Sequence, residues 1–291
     1  MLKTIGNSNR SGGAILFLIF LLIASHLWQQ SAWARSLKVL SFTPVLHDSL
    51  LTATPSHAVI LAEAAAPKIT LSPKSKRRYT AFVKANDEGL KAMAKRSTDY
   101  FPAIEKIFKK EGLPTELKYL AIVESNLDRK ARSHCGAVGL WQLMPPTARL
   151  YGLKVNGRTD ERKYLQKSTV AAAKYLQDLY SEFGDWLLVM AAYNGGSGTV
   201  QSAIKKAGSR NFYAIQRHLP AETKAHVLHF IDTHYYFEGQ GSLVTLTKKE
   251  AGQYKQRVSD YLTKRTCEIE TLIAKKLDTA KAEEVTLVVR E

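Results

Sequence analysis

Between residues 76 and 240 the apolar residues return at helical spacing and never alternate over the length of a strand. This pattern excludes sheet-based architectures and predicts an all-α domain. Tyr79, Phe82 and Val83 begin one helix. Tyr100, Phe101, Ile104, Ile107 and Phe108 form a second stripe, which Gly112 ends. Pro114 sits where a first helical position favours proline, and its helix runs to about Asn126. Thr169 to Glu182 is a further helix with Val170, Ala173, Leu176, Leu179 and Tyr180 on its buried side. Gly184 stops it, and Asp185 can cap the next, Trp186 to Asn194. Thr199 to Ala207 and Pro220 to Phe237 complete the set. The one β-like run, Glu284 to Arg290, is too short to found a sheet. No internal repeat is present.

The ends of the chain read differently. Lys3 and Arg10 precede an apolar run from Ala14 to Ala24, and Ala32-Trp33-Ala34 is a small-x-small cleavage site. Residues 1–34 are therefore expected to be a signal peptide, with a retained membrane anchor as the alternative. Residues 35–75, with Pro44, Pro55, Pro67 and Pro73, read as a linker or weakly ordered lead-in. Residues 76–240 are the domain. Residues 241–291 form a helical C-terminal extension in which Lys248 to Lys276 is amphipathic and expected to pack on the domain. Export to the periplasm or cell envelope follows from the signal. Cys135 and Cys267 could pair in that compartment.

The net charge of +16 drops by two, to +14, without Lys3 and Arg10. Such an excess suits an anionic partner. Export argues against nucleic acid and towards an anionic membrane or wall surface. No C-x-x-C or H-E-x-x-H spacing supports a metal, and His226, His229 and His234 do not share one helix face.

Leu117, Leu120, Ala121 and Glu124 fall at i, i+3, i+4, i+7 on the helix after Pro114. Glu124 is thus a carboxyl on an apolar stripe, close to the helix C-terminus. Apolar surroundings and the negative end of the helix dipole both favour its protonated form, as proton delivery to a glycosidic oxygen requires. A second carboxylate, the usual partner in glycoside cleavage, has no compelling candidate. Asp128, flanked by Arg129, Lys130 and Arg132, reads as an exposed ion pair. Asp160 and Glu161 read as a loop or helix start, and Asp185 as a cap.

Downstream come two further uncharged clusters. Gly136 to Gly139 precedes Leu140-Trp141-Gln142, where glycines permit a tight turn. Trp141 is either core or a sugar platform, and the apolar neighbours favour core. Ala192-Tyr193-Asn194-Gly195-Gly196 ends a hydrophobic helix with a phenol and an amide at its tip.

In this order and spacing, Glu124-Ser125, Gly139-Leu140-Trp141-Gln142 and Ala192-Tyr193-Asn194-Gly195-Gly196 resemble the lytic transglycosylases of the soluble-lytic-transglycosylase, goose-lysozyme-like family. The resemblance covers roughly residues 98–240. It implies a lysozyme-like helical catalytic domain acting on peptidoglycan glycan strands, with neither cofactor nor metal. It implies one glutamate, Glu124, as acid and then base, and formation of 1,6-anhydromuramyl ends. Ser125, Gln142, Tyr193 and Asn194 would bind the glycan. The family's late tyrosine is replaced by His226 in Glu222-Thr223-Lys224-Ala225-His226-Val227, and an imidazole can still donate to a carboxylate or glycan. The rival readings are a water-using lysozyme of the same fold, a wall-binding protein without activity, and, remotely, a nucleic-acid binder.

Overall fold

A computed structural model describes residues 66–288, with side chains as far as residue 275. The expected signal segment lies outside the described residues. The helices are α1 (Pro73–Lys110), α2 (Leu120–Ser125), α3 (Pro145–Leu150), α4 (Leu165–Phe183), α5 (Trp186–Gly195), α6 (Ser197–Ala207), α7 (Phe212–Ile215), α8 (Ala221–Glu238) and α9 (Lys248–Val288). Short 3-10 turns punctuate them, notably Thr115–Tyr119 before α2 and Glu161–Lys163 before α4. Only isolated β-bridges occur among the described residues, so the all-α expectation holds there.

Helix α5 is the centre. Trp186 through Ala192 are all buried, so the helix is apolar on every side and must be enclosed. Helices α4, α6 and α8 pack around it. Asp185 caps its start, accepting from the amides of Leu187 and Leu188 at 2.9 and 3.2 Å. The Asp185 carboxyl is shifted upward by burial even though these bonds oppose the shift.

Several expectations change. The two helices expected on either side of residue 98 are one, α1, with Pro102 inside it. Leu90, Met93, Ser97, Ile104 and Phe108 form a single buried face across that proline, and packing outweighs the missing backbone bond. The helix after Pro114 starts as a 3-10 turn and becomes α-helical only at Leu120. Tyr180 is exposed on α4, where it stacks on Trp186 at 4.2 Å. The end of the lead-in is held down: Ile69 is buried, and its carbonyl accepts from Gly241 N at 2.9 Å. The β-like run is helical as far as Val288. The start of α9 is anchored through Lys248 N to Asp185 Oδ2 at 2.6 Å and Tyr254 to the Pro67 carbonyl. Leu262, Ile269, Leu272 and Ile273, on its later turns, are exposed. No described helix is long and apolar enough to cross a membrane.

Candidate active site

Glu124 lies in the last turn of α2. Leu117, Leu120 and Ala121 below it are fully buried, which draws the stripe inward and leaves the Glu124 side chain 12% exposed. The helix stops abruptly. Asn126 and Leu127 have φ of 51° and 60°, the left-handed region that costs L-residues about 1–2 kcal/mol each. Complete burial of the Leu127 side chain, worth about 1.5–3 kcal/mol, offsets its share. Arg96 fastens the corner by donating to the Asn126 carbonyl at 2.6 Å.

The turn after α2 is tied to it through Ser125. Its hydroxyl lies 2.9 Å from the Leu140 carbonyl and 3.1 Å from that of Ala121. Ser125 thus fixes the acid's helix to the glycine turn. Gln142 has φ of 44°, and its amide nitrogen donates to the carbonyls of Gly139 at 2.8 Å and Ala131 at 3.3 Å. The described residues include three non-glycine positions with positive φ: Asn126 and Leu127, which directly follow the helix of Glu124, and Gln142 in the turn that Ser125 ties to it. Trp141 is core: fully buried against Phe108, with its indole N–H on Thr169 at 3.0 Å.

Arg162 escaped the sequence reading, hidden in an Asp-Glu-Arg stretch that looked like loop. It is buried. Nη1 donates to the carbonyls of Gly136 and Leu143, both at 2.9 Å, and Nε and Nη2 grip Asp160. The guanidinium therefore clamps both ends of the turn. Proximity of Arg162 keeps Asp160 below the ordinary carboxylate range. Only the proximity of an acid to the arginine hinted at this in sequence.

Helix α5 delivers Tyr193 and Asn194 at its C-terminal end. The Tyr193 hydroxyl donates to the Trp141 carbonyl at 2.7 Å, a second tie to the turn. Its ring packs on Tyr175 of α4 at 5.1 Å. Burial, then the nearby Glu124 charge, pushes the Tyr193 phenol well above its ordinary value, so it remains a neutral donor. Asn194 is half-buried beside it. Gly195 permits the approach of α8: a Cβ there would stand 2.7 Å from Thr223 Oγ1. One turn further along α8, His226 places Nε2 at 2.8 Å from Glu124 Oε1.

The structure thus brings Glu124 and His226 into direct contact. Ser125, Gln142 and Tyr193 converge on the backbone of one turn beside them. The other carboxylates are engaged elsewhere: Asp160 with Arg162, Glu161 with Lys167, Asp185 at its cap, and Asp128 with the amide of Lys130. His229 stacks on Phe82 and His234 meets Ser242. The three histidines face different partners. Cys135 and Cys267 are both free and exposed. A single carboxyl with an imidazole partner and amide and phenol neighbours can move a proton to and from an uncharged ligand.

Residues 101–216 match the family profile described as Transglycosylase SLT domain. Over 137 residues it is 43% identical to the membrane-bound lytic murein transglycosylase D of Escherichia coli (strain K12), covering 45% of this chain and 30% of that protein. It is 32% identical over 120 residues to the peptidoglycan transglycosylase gp16 of Escherichia phage T7, covering 40% of this chain and 9% of that protein. The chain thus spans about a third or less of the length of these relatives. The solved 70-kDa soluble lytic transglycosylase of Escherichia coli aligns with a TM-score of 0.44 and 25% identity, over 51% of this chain and 26% of that one. The matched SLT stretch contains Glu124, Ser125, Gln142, Tyr193 and Asn194, whereas His226 lies beyond its end.

Proposed function

We propose that this chain is a peptidoglycan lytic transglycosylase that cleaves the MurNAc–GlcNAc β-1,4 bond with Glu124 as acid and then base. The observation that carries this reading is the Glu124 carboxyl, nearly buried within the stretch that matches an SLT domain and held against the His226 imidazole. Glu124 gives its proton to the glycosidic oxygen as the C1–O bond breaks, and the bonding pair stays with the leaving oxygen. The substrate's acetamide oxygen assists at C1. The muramyl C6 hydroxyl then bonds to C1 and returns its proton to Glu124, leaving a 1,6-anhydro end. Water is not consumed, and no metal or cofactor takes part. Engagement of the other carboxylates in structural contacts supports a scheme without a protein nucleophile.

Asn194 and the carbonyl oxygen of Gln142 are the groups proposed to orient the glycan. Ser125 and Tyr193 contribute chiefly by holding the turn, since their hydroxyls bind Leu140 and Trp141 carbonyls. The catalytic unit is proposed to run from the start of α1 to the end of α8, acting in the cell envelope after export directed by residues 1–34. The excess positive charge suits the anionic wall.

Mass spectrometry of muropeptides released from purified sacculi tests the reading. Products lighter by one water than reducing-end muropeptides, absent with Glu124→Gln, are expected. Hydrated reducing ends would replace the transglycosylase reading by a lysozyme-type hydrolase. Binding to sacculi without release would point to a wall-binding protein, and undiminished turnover by Glu124→Gln would remove Glu124 from the chemistry.

A further inference from the structure

His226 is 8% exposed, with Nε2 against Glu124 Oε1 at 2.8 Å and Nδ1 buried without a hydrogen-bond partner. That asymmetry decides where the ring hydrogen belongs. A neutral imidazole carries one N–H. On Nδ1 it would be a stranded buried donor, and Nε2 could only accept. On Nε2 it donates to Oε1, and what remains unpaired is a bare lone pair. Orphaned buried N–H groups are the rarer and costlier defect. An imidazolium would strand the same Nδ1–H.

We propose that His226 is a positioning residue: a neutral imidazole protonated at Nε2, whose single N–H is fixed on Oε1 of Glu124 and thereby confines the acid's proton to Oε2. The inference rests on Glu124 being the acid of the reaction above. Oε2 gives its proton to the glycosidic oxygen while Nε2–H stays on Oε1 and stabilises the carboxylate left behind. The same Oε2 recovers a proton from the C6 hydroxyl. His226 neither gains nor loses one. The family's tyrosine carries a hydroxyl that can rotate to donate or accept; this ring, bare at Nδ1, can only donate. The substitution therefore removes an ambiguity from the site rather than a function.

The test combines spectroscopy with kinetics. Nitrogen-15 NMR of the full wild-type chain labelled at histidine, with His226→Gln to assign the signals, distinguishes bare from protonated ring nitrogens. At neutral pH a protonated Nε2 and a bare Nδ1 are expected. A protonated Nδ1, in the other tautomer or in an imidazolium, overturns the proposal. This readout needs no activity, only a His226→Gln variant folded well enough to show which signals disappear. In muropeptide release, His226→Ala is expected to lower kcat by about 10- to 100-fold with a smaller change in KM, the loss of one hydrogen bond to a charged group. His226→Gln, which keeps an N–H donor, is expected to recover most of that loss. Equal loss in both variants, or undiminished kcat in His226→Ala, overturns the positioning role. A wild-type chain that releases nothing would instead sink the proposed activity, while the spectra would still decide the tautomer.

Discussion

Gly136 and Gly139 flank Ala137-Val138 with nearly the same backbone, φ of +89° and +87°, but they face different surroundings. A Cβ at Gly136 would meet nothing within 4 Å. At Gly139 it would lie 2.2 Å from the carbonyl oxygen of Arg162 and 2.9 Å from its carbon. Alanine at either site incurs the positive-φ penalty of about 1–2 kcal/mol. Only at Gly139 must backbone also move, adding about 1–3 kcal/mol for overpacking. With about 2–4 °C of Tm lost per kcal/mol in a domain of this size, Gly136→Ala should cost about 2–8 °C and Gly139→Ala about 4–20 °C. The second variant should also lose activity well below its Tm. The Gly139 carbonyl receives Gln142 and the adjacent Leu140 carbonyl receives Ser125, so displacing the turn displaces what surrounds Glu124. A 1 Å misplacement near a reacting centre costs about 100-fold in rate. Calorimetry and urea titration of the two variants, followed by muropeptide release at 25 °C, would measure both effects. Destabilisation equal to within about 0.5 kcal/mol would mean that the turn is not pressed against Arg162, and the reasoning would fail.

Two further outcomes follow from buried ionisable groups. Arg162→Met removes the donor to Gly136 and Leu143 and leaves Asp160 unpaired, so urea denaturation should show a loss of about 3–5 kcal/mol. Arg162→Lys should recover little, because one ammonium cannot replace the planar fork; full recovery would count against the clamp. Burial lowers the His234 imidazole from 6.5 to about 4. The unfolded chain therefore binds this proton at higher pH than the folded one. The stability associated with the neutral ring is present above about pH 6.5 and disappears as pH falls towards about 4, up to about 3 kcal/mol in all. Tm measured across that window should fall more steeply for the wild-type chain than for His234→Asn; parallel curves would refute the assignment.

Much of this molecule was legible in one dimension because helices are local objects. The i, i+3, i+4, i+7 recurrence that placed Glu124 beside Leu117, Leu120 and Ala121 depends only on helical pitch, and those three residues are fully buried. The caps at Gly184 and Asp185 are likewise short-range, and they stand where the spacing put them. The apolar neighbourhood of Trp141 was enough to assign it to the core. Local signals misled where a distant surface outweighed them. The continuous buried face of α1 carries the helix through Pro102, and the stack on Trp186 turns Tyr180 outward.

The sequence by itself determined the all-helical character and the central helices, the depth of Glu124 in an apolar stripe and the order of the glycine, amide and phenol words that follow it. Only the tertiary structure decided how those words meet. Arg162 reaches Gly136 across 26 residues, Tyr193 reaches Trp141 across 52, and His226 reaches Glu124 across 102. No periodicity encodes such pairings, because they arise when packing of α4, α5 and α8 brings chain segments together. The positive φ of Leu127 and Gln142 belongs to the same class: neither residue favours that conformation locally, and surrounding contacts hold both in it.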